Sequence, residues 1–130
     1  MDYFIFLGLN VGVFGQSYLT LNKIGKKEQA AFQEAKSLAA NGQYEKALKT
    51  IYQLQSKFPT FIESWLLLGK IKYDLNALPE AQAAFLKVID FDPDFNTEAY
   101  YMLGVTEWKL DQFDQAAQHL EVFLQKKTKK

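Results

Sequence analysis

The chain has 130 residues and a mass of 15.0 kDa, is 48% hydrophobic and 23% charged, and sets 15 lysines against 15 acids with no cysteine. That length and apolar fraction suit one domain with a core of its own, and the missing thiols exclude disulfide frameworks, cysteine nucleophiles and cysteine-ligated metal sites. Zero net charge argues against a nucleic-acid partner chosen by bulk electrostatics, although residues 62–125 carry a net −7 and the remainder +7.

Residues 1–24 form an apolar N-terminal segment. No charge interrupts Tyr3 to Leu21, and a helix of that length reaches roughly 28 Å, about the hydrocarbon thickness of a bilayer. Lys23, Lys26 and Lys27 follow the run, so the positive-inside rule turns the rest of the chain toward the cytoplasm. Asp2 before the run, and no small-residue cleavage pattern after it, argue against a removed signal peptide. Gly8 and Gly12 make a weak GxxxG match. Against a span stand Asn10, Gln16 and Ser17, which dilute it, and Val11, Val13, Phe14, Tyr18 and Leu19, which favour strand. Two readings stay open: a membrane anchor over residues 3–21, or an element packed into a soluble fold.

From residue 25 to 130 the texture becomes alanine-rich, with apolar residues three and four apart, as in Ala31, Ala35, Leu38 and then Ala47, Ile51, Leu54. This is the pattern of amphipathic helices. Asn41-Gly42, Phe58-Pro59, Asn76 to Pro79 and Asp92-Pro93 punctuate it, and Asp111 is expected to cap the last helix. Six helices in three pairs result. Ala47 and Ala81 lie 34 residues apart, as do Pro59 and Pro93, and Gly69 and Gly104 lie 35 apart; such a period indicates stacked hairpins.

At these residues the sequence resembles the tetratricopeptide repeat family. The middle repeat (about 62–96) reads Trp65, Leu68, Gly69, Tyr73, Leu78, Ala81, Phe85, Val88 and Pro93. The third (97–130) reads Tyr100, Leu103, Gly104, Trp108, Phe113, Ala116, Leu120 and Phe123. The first (28–61) is weaker, with Ala31, Ala35, Leu38, Tyr44, Ala47, Ile51, Leu54 and Pro59. The resemblance implies an all-α fold of three stacked antiparallel helical hairpins, an α-solenoid, over roughly residues 28–127. Tyr73 and Trp108 fall one position later than the family's usual core aromatic, leaving Lys72 and Glu107 in that core place; the resulting rotation of about 100° is expected to turn the rings toward the concave face.

Chemistry has few candidates. His119 lacks metal-binding companions at helical spacing and is expected to be solvent-facing or partly packed. Asp90, Asp92 and Asp94 alternate like a calcium loop but lack its glycine and distal glutamate, so they read as turn and cap residues. Neither a phosphate-binding glycine loop nor a serine nucleophile pattern is present, and no cofactor is expected. The closing Lys126-Lys127-Thr128-Lys129-Lys130 reads as a solvated end.

The resemblance therefore implies a non-catalytic adaptor that takes a protein partner, as a peptide or helix, in a concave groove. Carrying over the family's groove positions gives Phe32 and Lys36, with Gln29 and Ala39, in the first repeat. The second supplies Glu63, Leu66, Lys70 and Tyr73, and the third Glu98, Tyr101, Val105 and Trp108. The expected setting is the cytoplasmic face of a membrane. The alternative is a soluble, self-associating structural protein whose N-terminal segment packs on its own or a neighbour's repeats.

Overall fold

A computed structural model describes residues 17–129. Six helices follow one another: α1 Lys26–Ala40, α2 Tyr44–Lys57, α3 Ile62–Asp74, α4 Leu78–Phe91, α5 Thr97–Lys109 and α6 Phe113–Thr128. They form three stacked hairpins, α1/α2, α3/α4 and α5/α6, each packed on the next. Over the described residues the chain forms the all-α solenoid of three stacked hairpins that the resemblance implies.

The turns inside the hairpins repeat one device. Gly42, Asn76 and Asp111 all have positive φ, 78°, 59° and 62°. The next amide in each case reaches back to a carbonyl five residues earlier: Gln43 to Leu38, Ala77 to Lys72 and Gln112 to Glu107, each at 2.8 Å. This left-handed closure satisfies carbonyls that a helix end would leave unpaired, and Gly, Asn and Asp tolerate it best. Asp111 therefore closes α5 and does not cap α6, contrary to expectation; Gln112 precedes α6 without a side-chain cap bond. The sequence rules for the two roles overlap, because a short polar side chain suits both.

Between hairpins, Pro59 and Pro93 follow the ends of α2 and α4, where a proline cannot continue the helix. The indole N–H of Trp65 donates to the Pro59 carbonyl at 2.9 Å. Asp92 accepts from the Asp94 N–H at 2.9 Å, and the Asn96 side chain caps α5 by accepting from the Glu98 N–H at 2.8 Å.

Small residues set the helix spacing. Ala35 faces Ala47 and Ile51 in the first hairpin, and Gly69 lies against the Phe85 ring in the second. Phe85 is fully buried among Ile62, Leu66, Val88 and Leu103, which ties the second hairpin to the third. Burying such a side chain stabilises by roughly 2–3 kcal/mol.

The end of the apolar segment joins this array. Leu19 lies in extended backbone, its N–H donating to Thr60 at 2.9 Å and its carbonyl accepting from the Ile62 N–H at 3.0 Å. Tyr18 packs edge-on against Phe95, 6.2 Å between centroids, and its hydroxyl donates to Asp92 at 2.5 Å. A short 3-10 turn, Leu21–Lys23, then leads to Ile24, buried with Phe32, Leu54 and Phe61. The expected 3–21 helix is thus not continued through its last residues. Residues 3–16 of the anchor reading, with the Gly8/Gly12 motif, lie outside the described residues. Among the described residues, no helix is long and apolar enough to cross a membrane.

Candidate functional site

The first helices of the hairpins, α1, α3 and α5, line the inner face. Between α1 and α3 lies a cleft of about 320 Å³ bordered by Phe32, Lys36, Glu63, Leu66, Leu67, Lys70, Phe95 and Asn96. A second hollow of about 220 Å³ continues along the same two helices past Lys36 and Lys70 toward Ala39 and Asp74. Five of the expected groove residues, Phe32, Lys36, Glu63, Leu66 and Lys70, therefore meet in one place. Their spacing on each helix, 32/36 and 63/66/70, is what puts them on one face.

Their roles differ. Phe32 and Leu66 are buried; Phe32 meets Phe61 edge-on at 4.9 Å, so it forms the floor of the cleft more than its contact surface. Lys36 is exposed at the mouth. Lys70 pairs with Glu98 of α5 at 2.9 Å, which links the cleft to the third repeat. Glu63 is half-buried and accepts the Leu21 N–H at 2.8 Å. Burial pushes its carboxyl above the ordinary range, opposed by the Leu21 N–H and more weakly by Lys36. The cleft thus offers an apolar floor, two ammonium groups and two carboxylates.

The α5 positions sit apart from that cleft. Tyr101 is 46% exposed, and its ring lies 5.3 Å from Phe123 of α6. Val105 is half-buried. Trp108 is 60% exposed, whereas its counterpart Tyr73 packs against the core beneath Lys109, whose ammonium lies 4.8 Å from the ring centroid. The difference follows from stacking, because Tyr73 has a following repeat to pack against. Leu67, Phe95 and Asn96 border the cleft without having been expected. The 34-residue offset from Phe61 to Phe95 was the signal that could have found the turn residues.

Glu107, in the core place usually held by an aromatic, is 2% exposed and lies 2.7 Å from His119 Nδ1. The Gln82 amide approaches the same carboxylate at 3.4 Å and donates to Gln112 at 2.6 Å. His119 is thus a partly buried pairing group between α5 and α6. Among the described residues, no cluster of three or more metal-binding side chains occurs. The tail is not wholly solvated: Lys126 pairs with Asp94 and lies over the Tyr100 ring.

Two family models, both described as tetratricopeptide repeat, match the chain, one over residues 38–103 and the other over residues 15–60 and 98–126. No curated protein matches it. Repeats of this kind generally mediate protein–protein interaction, typically as scaffolds without catalysis. With the three stacked hairpins, the left-handed turns at a 34–35-residue period and those matches, the chain belongs to the tetratricopeptide repeat family.

Proposed function

We propose that the chain is a non-catalytic adaptor that receives a peptide or helix of another protein along the α1–α3 cleft, with Lys36 and Lys70 flanking an apolar floor of Phe32 and Leu66. The observation that carries this reading is the cleft itself, where five carried-over positions converge, with a second hollow beside it along α1 and α3. Its ligand would offer apolar anchors and at least one carboxylate, since desolvated apolar contacts supply most of the affinity and the lysines set register. Glu98 adjoins the cleft through Lys70, and Tyr101, Val105 and Trp108 offer a separate contact surface on α5.

Of the two roles open to residues 3–21, the seating of Tyr18 to Ile24 on the array supports packing.

Affinity capture with the full chain tests the groove. Lys36→Glu and Lys70→Glu should each weaken the recovered partner by about tenfold, while Glu45→Lys, outside the cleft, should leave it unchanged. An identical partner set for all of them would place the contact surface elsewhere. Sedimentation with anionic vesicles tests the membrane setting: binding that persists after removal of residues 1–16 excludes them as the anchor.

A further inference from the structure

Helix α6 carries an apolar stripe that its own hairpin engages only at Leu120. Phe113, Ala117, Leu120 and Leu124 follow one another along it in steps of four, three and four, the heptad spacing of a helix that meets another helix along its length. Phe113 is 55% and Leu124 57% exposed, Ala117 is exposed, and Leu120 is half-buried against Gly104. The inner side of α6 is a different set: Ala116, His119 and Lys126 face Glu107, Tyr100 and Asp94.

The preceding repeat shows what such a face receives. The residues 35 positions earlier on α4 are Leu78, Gln82, Phe85 and Ile89. Gln82 bonds to Gln112, while Phe85 and Ile89 pack in the cluster that contains Leu103 of α5. The same face on α6 is therefore shaped to take a helix, and among the described residues none covers it.

We propose that a second copy of the chain occupies it, through an antiparallel pairing of α6 with α6. The stripe is self-complementary: a two-fold axis between Ala117 and Leu120 sets Phe113 against the partner's Leu124 and Ala117 against the partner's Leu120, at both ends alike. Charge selects the direction. Asp111 and Asp114 mark the start of α6 and Lys127 and Lys129 its end, all exposed. Antiparallel pairing brings each acidic end to a basic one and opposes the helix dipoles, whereas parallel pairing would set lysine against lysine. This surface lies on a different face from the α1–α3 cleft, so a dimer leaves the cleft open.

Light scattering on the full chain, followed over roughly 5–200 µM, should show the mass rising toward twice 15.0 kDa. Phe113→Lys and Leu124→Glu should each raise the dissociation constant at least about tenfold, with circular dichroism unchanged because both side chains are exposed. An equimolar mixture of the two variants should dimerise again: in the mixed pair the introduced lysine faces the introduced glutamate at one end, and Leu124 faces Phe113 at the other. Because the chain has no cysteine, Phe113→Cys mixed with Leu124→Cys should also cross-link on oxidation, and Phe113→Cys alone should not. A wild-type mass that stays at one chain throughout overturns the proposal. So does association that both charge variants leave intact, or a mixture that fails to re-associate and to cross-link.

Discussion

Gly69→Ala sets two effects of known size against each other. Alanine is the better helix former by about 1 kcal/mol, so in an isolated helix the change would stabilise. In the array, the new methyl would meet the Phe85 ring at 2.6, 2.7 and 2.9 Å from its Cε1, Cδ1 and Cζ. Carbon pairs rest at roughly 3.5–4.0 Å, so ring or helix must give way by about 1 Å. Phe85 is fully buried and ringed by Ile62, Leu66 and Val88, so the ring has nowhere to go without moving α4. Overpacking of this kind costs about 1–3 kcal/mol, and the larger end applies where the neighbour is a rigid ring. We expect a net loss of about 1–2 kcal/mol, read as a midpoint shift in urea denaturation followed by circular dichroism. Gly104→Ala is the internal control. Its methyl would meet Leu120 Cγ and Cδ2 at 2.6 and 2.7 Å and the Ala116 carbonyl at 3.3 Å; Leu120 is half-buried and can change rotamer, and the carbonyl need yield only a few tenths of an ångström, so this substitution should cost less than Gly69→Ala. In a Phe85→Leu background the Gly69→Ala penalty should vanish or reverse, a coupling of at least about 1 kcal/mol. A Gly69→Ala chain more stable than wild type, or costs in the opposite order at the two glycines, would refute the argument that Phe85 fixes the spacing of the second hairpin.

The buried pair on the third hairpin gives a second test. His119→Ala strands the Glu107 carboxylate with only the Gln82 amide nearby and should cost about 3 kcal/mol, whereas Glu107→Gln, which keeps shape and an acceptor, should cost about 1 kcal/mol; equal and negligible losses in denaturant would mean that the pair is not formed. Glu63 gives a third, through pH. Its carboxyl is raised by burial, so the folded state favours the protonated form; the stability this contributes is full below the ordinary value of 4.5 and is lost as pH rises through the folded-state value. Glu63→Gln keeps the acceptor for the Leu21 N–H and removes the charge, so it should stabilise the chain at neutral pH and lose that advantage on acidification; thermal melts at both pH values check it, and a variant less stable at neutral pH would contradict the assignment.

Local chemistry wrote much of this protein into its sequence. Apolar spacing of three and four, the proline and left-handed turn positions, and alanine or glycine at fixed offsets specify six helices and their pairing, because each signal acts within a few residues of the backbone it controls. The groove positions that the family resemblance implies, Phe32, Lys36, Glu63, Leu66 and Lys70, meet along the cleft. What the sequence left open depends on what lies across a gap in space. Tyr73 and Trp108 share a repeat position, yet one is packed and the other exposed, because the first has a hairpin stacked on it. Asp111 reads equally well as a cap or as a left-handed turn until α5 and α6 meet. Tyr18 and Leu19 read as the end of an apolar span, and only the edge formed by Thr60, Ile62 and Asp92 decides that they lie extended on the array. Period and pattern are properties of one strand of chain; burial, pairing and exposure are properties of neighbours, and the neighbours exist only once the repeats have stacked.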